Sequence, residues 1–260
     1  MASHNKSAGI PIRASNGGLW IYRKPEEGKR YVVGIDSSEG VRGGDYACAA
    51  VLELESCEDV AWWHGLFDPS EWGRMNCRLG FHYQSACLAF ETGPSTHGGT
   101  AAQQAVSLKY PNLYMRRKMD TIAREWTEKI GWDTKEGSKR FLLDRIRRAL
   151  SDGTRINFPT LLSELKGAKV VDGGTRRNTI AFEDHDDAAM AYGIALCVRD
   201  DLYTSGIVPK APAPRVSDPT ELHWLEFERT YGKDPDPSRT ASDKRRQRAR
   251  RRRRMANDFI

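Results

Sequence analysis

The chain has 260 residues and carries 41 Lys and Arg against 35 Asp and Glu, a formal +6 at neutral pH, which is room for one large domain or one domain with appendages. No apolar run approaches the ~20 residues that span a bilayer, and the N-terminal MASHNKSAG lacks the apolar core of a signal peptide, so an intracellular protein with no membrane partner is expected. The net charge misleads: residues 244–254 (KRRQRARRRRR) hold nine basic residues and no acid, which leaves 32 basic against 35 acidic residues elsewhere, a balance of −3, so the basicity belongs to a terminal run.

Residues 1–17 are polar and rich in Gly and Ser and read as a flexible arm. Residues 19–22 (LWIY) fit a short edge strand, and Pro25 to Gly28 turns the chain into Tyr31-Val32-Val33-Gly34-Ile35, an apolar, β-branched run of strand length. Asp36 ends that run, and an acid there is costly if buried without a partner. A polar turn follows with Ser37, Ser38, Glu39, Gly40, Gly43 and Gly44. Two readings of this stretch stay open: a hairpin with a solvated loop, or a strand that carries a functional acid at its tip.

Residues 47–53 make a second strand and 60–67 (VAWWHGLF) a third, so an antiparallel meander is predicted. Trp62, Trp63 and Trp72 read as packing residues. From Pro69 the pattern becomes helical, with Pro near the first turn. Residues 86–91 (ACLAFE) form an unbroken apolar strand that again ends in an acid, Glu91; a helix over about 100–109 and a short strand at 113–115 follow. Residues 119–132 fit no clear pattern and read as including a mobile loop. Residues 138–150 are amphipathic, with Leu142, Ile146, Ala149 and Leu150 at helical spacing.

A short strand is expected at 155–158, a short helix at 161–166 and a hairpin joining 170–174 to 178–182. Glu183-Asp184-His185-Asp186-Asp187 then opens a helix to about Arg199, with Ala191, Ile194, Ala195 and Val198 on the face of Asp187. Four prolines between 204 and 219 mark a boundary; 222–231 reads as a small helix and the remainder as disordered. The division is therefore an arm at 1–17, a domain at 18–202, and a linker with short helix and Arg-rich tail at 203–260. Cys48, Cys57, Cys77, Cys87 and Cys197 are odd in number, contain no CxxC pair and sit mostly in apolar runs, as reduced packing residues do.

Three acid sites stand at the ends of apolar elements: Asp36, Glu91 and the pair Asp186-Asp187. Carboxylate oxygens are the hard ligands that Mg²⁺ takes, and two such ions ~3.5–4 Å apart serve phosphodiester hydrolysis. Asp186 and Asp187 have a competing role, since acids in a first helical turn are stabilised by the helix dipole. His97 and His185 read as polar surface that could assist a metal site, and Asp45 as a turn residue. No ATP-type phosphate loop is present: Gly28-Lys29 is followed by Arg30, and Arg23 stands where the leading Gly would be.

The GID36SSEG strand with GGDY after it, the AFE91TG strand end, the KIGW segment at 129–132 before the SKRFLLDRIRRAL helix, and HDD187AAMA together resemble the nuclease domain of tailed-phage large terminase subunits. The resemblance covers roughly residues 19–199. It implies an RNase H-like α/β fold: a central mixed β-sheet with three antiparallel strands followed by parallel strands, flanked by helices, and a disordered basic C-terminal tail. Also implied is a two-metal-ion endonuclease using Mg²⁺ or Mn²⁺, which cuts concatemeric double-stranded viral DNA during packaging in the host cell cytoplasm. Asp36, Glu91 and one or both of Asp186 and Asp187 are its metal ligands by that match. Only about 30 residues precede the Asp36 strand, so the packaging ATPase of large terminases is missing; either the chain is an excised domain, or the nuclease is encoded apart from its motor. Partners would then include a separate ATPase, a small terminase subunit or a portal protein.

Nucleic-acid contact is expected from Lys244, Arg245, Arg246, Arg248, Arg250, Arg251, Arg252, Arg253 and Arg254, which can neutralise phosphates without reading bases. An acidic protein partner competes for that run. Another RNase H-like nuclease, of junction-resolvase or transposase type, and a non-catalytic adaptor that binds nucleic acid through the tail are the alternative functions.

Overall fold

The computed structural model describes residues 10–14, 17–41, 43–93, 97–120, 125–134, 136–171, 179–183 and 185–204. Its strands are β1 (Ile10–Ala14), β2 (Gly17–Ile21), β3 (Tyr31–Asp36), β4 (Ala47–Glu53), β5 (Asp59–Gly65), β6 (Cys87–Phe90), β7 (Met115–Asp120), β8 (Glu125–Ile130), β9 (Lys169–Val171) and β10 (Thr179–Ala181). Its helices are α1 (Pro69–His82), α2 (Gly98–Ser107), α3 (Glu136–Ser151), α4 (Pro159–Gly167) and α5 (Asp187–Thr204).

Six strands form the central sheet in the order β1-β2-β5-β4-β3-β6. All neighbours in it are antiparallel except β3 and β6, which run parallel with Val32 opposite Cys87 and Ile35 opposite Phe90. The expected meander is present as β3-β4-β5. The expected parallel part follows as β6, and beyond it, among the described residues, stand isolated parallel bridges, Leu88 with Leu113 and Glu91 with Trp132.

Period-2 alternation of side chains sorts the central strands between two cores. Val33 and Ile35 of β3, Ala47, Ala49 and Val51 of β4, Trp63, and Leu88 and Phe90 of β6 pack with Trp72, Met75 and Leu79 of α1 and with Ala101, Ala102 and Ala105 of α2. Val32, Cys48, Ala50, Leu52, Trp62, Cys87 and Ala89 face the other way, onto α5, α3 and α4. Strands buried on both faces read as continuous apolar runs, which is why 31–36 and 86–90 do. The three tryptophans are fully buried packing residues, and the cysteines are free, all but Cys57 buried.

α5 is buried on every side from Asp187 to Val198, a consequence of lying between the sheet and α3. Gly34 permits this approach: a Cβ there would stand 2.1 Å from the Ala191 carbonyl oxygen and 2.5 Å from the Ala195 nitrogen. On the far side α5 offers Gly193 to Leu142 of α3, where a Cβ would meet the Leu142 Cβ at 2.9 Å.

Several expectations need correction. Residues 10–14, expected within a loose arm, pair with β2, so residues 19–21 are interior to the sheet rather than at its edge. Of the irregular stretch at 119–132, residues 119–120 and 125–130 lie in β7 and β8, which pair antiparallel in register from Met115–Ile130 to Asp120–Glu125; residues 121–124, where a loop is expected, lie outside the described residues. The β8 strand is exposed along almost its whole length, so no apolar alternation announced it. No strand forms at 155–158, because Asn157 turns its backbone and side chain to Asp59: its N–H lies 2.9 Å from Oδ1 and its Nδ2 2.8 Å from the Asp59 carbonyl. The small helix at 222–231 and the Arg-rich tail lie outside the described residues. Among those residues no helix is long and apolar enough to cross a membrane.

Candidate active site

Asp36 is the last residue of β3, and it falls on the even-numbered side of that strand, with Val32 and Gly34, toward α5. Glu91 continues β6 on the side of Cys87 and Ala89, which is the same side. Parallel pairing brings the two strand ends together: the Glu91 N–H bonds the Ile35 carbonyl at 2.8 Å, and the Asp36 and Glu91 carboxyl groups are hydrogen-bonded to each other. Asp187 comes from across the site, at the start of the helix that lies over the sheet. Its Oδ2 accepts the Tyr46 N–H at 3.2 Å, just ahead of β4, where Cys48 pairs with Asp36.

Both strand ends are braced from the opposite core. Pro69 opens α1, and Asp68 caps it by accepting the N–H groups of Ser70 and Glu71 at 2.9 and 3.0 Å. One turn in, Trp72 donates Nε1–H to the Asp36 carbonyl at 3.1 Å. Gly98 at the start of α2 lies against Glu91, so close that a Cβ would meet the Glu91 carbonyl oxygen at 1.5 Å. On its outer side Glu91 is bridged to Trp132, whose N–H bonds the Phe90 carbonyl at 2.7 Å.

Asp36, Glu91 and Asp187 are 8%, 7% and 4% exposed. Burial holds the Asp36 carboxyl well above the usual range; Glu91, by charge and by hydrogen bond, and the charges of Asp187 and Asp186 push it the same way. Burial also lifts Asp187 to about 6, against the Tyr46 N–H. Asp186 differs from Asp187. It is half-exposed, its side chain pairs with Lys139, and its carbonyl takes the first helical N–H, from Met190, at 2.8 Å.

His185 stands at the rim, its Nδ1 3.6 Å from Asp187 Oδ2 and 3.8 Å from Asp45 Oδ1. His97 is turned away and pairs with Glu39 at 3.1 Å across exposed surface. Asp45 is exposed. Glu164 of α4 escaped the sequence reading: it is buried and accepts the N–H groups of Ala188 and Ala189 at 3.2 and 2.8 Å. A lone Glu in a short helix gives no signal of that role.

The group fits a hard divalent cation. Its donors are carboxylate oxygens without a thiol, and the charges acting on Asp36 are all of its own sign. Beside Asp36, the buried hydroxyls of Ser37 and Ser38 have no hydrogen-bond partner. Among the described residues no three side chains stand at ligating geometry; the hydrogen bond between Asp36 and Glu91 has to give way before both can bind an ion.

A mixed sheet with an antiparallel meander, a parallel strand beside it, acids at the two strand tips and a helix laid across them is an RNase H-like architecture. Solved structures narrow it. The large terminase nuclease from thermophilic phage G20c with bound cobalt superposes with a TM-score of 0.56 at 16% identity, over 74% of this chain and 94% of that one. The same nuclease with bound magnesium gives 0.55 at 15%, over 74% and 93%. The Thermus phage P74-26 large terminase nuclease domain gives 0.53 at 15%, over 68% and 83%. The fold of this chain is that of large terminase nuclease domains. No protein-family model matches the sequence, and a search of curated proteins finds no match.

Proposed function

We propose that the chain is a metal-dependent endonuclease that cuts double-stranded viral DNA during genome packaging in the host cytoplasm. The observation that carries this reading is the meeting of Asp36, Glu91 and Asp187, buried carboxylates from three separate elements, at one end of a sheet whose fold is shared with large terminase nucleases. The phage G20c nuclease was solved with cobalt, magnesium and zinc. For this chain Mg²⁺ or Mn²⁺ suits the all-oxygen donor set.

Asp36 would be shared by the ions, with Glu91 and Asp187 as the further ligands and Asp186 beside them at the rim, paired with Lys139. A pair of bound ions supplies an activated water and stabilises the leaving oxygen. The protein's part is to hold the carboxylates in place: the Trp72 indole fixes the Asp36 backbone, Gly98 admits α2 behind Glu91, and the Tyr46 N–H orients Asp187. The Arg-rich run at 244–254 tethers DNA through its phosphates. A packaging ATPase, small terminase subunit or portal protein brings the nuclease to its substrate.

Plasmid nicking tests the reading. Wild-type protein converts supercoiled DNA to open-circular and linear forms in Mg²⁺ or Mn²⁺ and not in EDTA. Asp36→Asn, which keeps the shape and loses the charge, abolishes cleavage with the fold intact. Cleavage by that variant at the wild-type rate would remove Asp36 from the chemistry.

A further inference from the structure

The first N–H groups of a helix have no partner within it. In most helices the side chain of the preceding residue supplies one, but here that residue is Asp186, whose carboxylate is turned to Lys139. The partner comes from another helix: Glu164 of α4 reaches the N–H groups of Ala188 and Ala189 at 3.2 and 2.8 Å. This carboxylate is buried and plays no part in the scheme above.

The place of α4 is itself fixed from the sheet. Asp59, fully buried at the start of β5, accepts the Trp62 Nε1–H at 2.7 Å, the Asn157 N–H at 2.9 and 3.0 Å and the Phe158 N–H at 3.2 Å. Phe158 then stacks on Trp62 at 4.6 Å, and Pro159 opens α4. A continuous series of contacts therefore runs from the sheet through Asp59, residues 157–158 and α4 to the first turn of α5, where Asp187 sits.

The charge at this end of α5 matters as much as the tether. A helix N-terminus acts as roughly half a positive charge, and this one is directed at the carboxylates that would hold cations. Left uncompensated, it opposes cation binding. A carboxylate seated on its N–H groups offsets it.

We infer that Glu164 is a positioning residue for the metal site: it fastens the first turn of α5 to α4, offsets the positive end of that helix, and so holds Asp187 toward Asp36 in a state able to take a divalent ion. This rests on the proposed role of Asp187 as a ligand.

The test is Mn²⁺ binding to the full chain without DNA, by titration calorimetry at pH 8, for wild type, Glu164→Gln, Glu164→Ala and Asp187→Asn, each checked for folding by circular dichroism. Glu164→Gln keeps the size and one acceptor oxygen and loses the charge; Glu164→Ala loses everything. Affinity falls by about 10-fold in the first and toward about 100-fold in the second, the range seen for residues that orient metal ligands. Asp187→Asn loses the site. If both Glu164 variants bind Mn²⁺ like wild type while Asp187→Asn does not, Glu164 is only a helix cap and the inference fails, whatever the variants lose in melting temperature. If Asp187→Asn itself binds like wild type, the assignment of the site fails first and the inference with it. Should Glu164→Ala not fold, Glu164→Gln alone decides, since loss of affinity in a folded Gln variant supports the role and unchanged affinity overturns it.

Discussion

The Gly34 backbone of β3 lies directly under the Ala191 carbonyl of α5, with space for a hydrogen but not for a methyl group: a Cβ would come within 2.1 Å of that oxygen. This contact sets the height of α5 over the sheet, and with it the reach of Asp187 toward Asp36. Gly34→Ala should therefore lower stability by about 3 kcal/mol or more, as overpacking against backbone does. Gly99→Ala, in α2 with nothing within 4 Å of the new Cβ, is the control and should be neutral or stabilising. Urea unfolding of both variants checks this; equal stabilities would mean that the helix–sheet spacing is slack.

Asp186 and Asp187 are neighbours in sequence and unlike in setting. Asp187→Asn should cost cleavage well beyond the ~100-fold typical of supporting residues, because its carboxylate is buried and its charge acts on Asp36. Asp186→Asn should cost only a few-fold, since it breaks an ion pair with Lys139 at the rim. Single-turnover cleavage rates separate them, and the reverse order of effects would assign the ligand to Asp186.

Protons and metal compete for the buried acids. Asp59 and Asp187 are raised to about 6 and Glu164 to about 7, each chiefly by burial, and Asp36 is raised as well. With folded values above the unfolded ones near 4, the folded state binds more protons in between. The stability these groups contribute is thus complete below about pH 4 and lost as pH rises through 6 to 7. Metal-free protein should melt higher at pH 5.5 than at 7.5, and Mg²⁺ should raise the melting temperature at pH 7.5 but hardly at 5.5. A melting temperature that falls on acidification across this window, with a Mg²⁺ shift independent of pH, would contradict the assignment.

The Arg-rich run is testable by deletion. Residues 1–243 carry a formal −2 and residues 244–254 supply nine positive charges, while each phosphate neutralised on duplex DNA adds ~0.9 to the salt slope of log affinity. Removing residues 244–260 should weaken binding to all sequences alike and flatten that slope, leaving cleavage at saturating DNA intact. Fluorescence anisotropy across a salt series measures it; an unchanged slope would favour a protein partner for the tail.

What the sequence disclosed followed from burial. The strands ending at Asp36 and Glu91 were legible because both of their faces are covered, which makes apolar runs that stop abruptly at an acid. Gly34 and Ala89, the small residues two places before each acid, lie on the face where α5 approaches, a parity signal that the sequence reading left unused. The β7–β8 hairpin stayed hidden because β8 is exposed almost throughout and Arg116, Arg117, Lys118 and Lys129 break any apolar alternation. Residues 155–158 read as a strand because Ile156 and Phe158 alternate, yet Asn157 spends its donors on Asp59, a long-range partner that no local pattern reveals. The same holds for Glu164, whose partners lie 24 and 25 residues away.

The central claim is that Asp36, Glu91 and Asp187 form one divalent-metal centre. Anomalous diffraction from crystals soaked in Mn²⁺ tests it most directly. Peaks within ligand distance of Asp36 and shared with Glu91 on one side and Asp187 on the other are the predicted result, lost in the Asp36→Asn variant. Soaked crystals with no peak at these carboxylates, or with Mn²⁺ bound elsewhere while DNA cleavage persists, would contradict it.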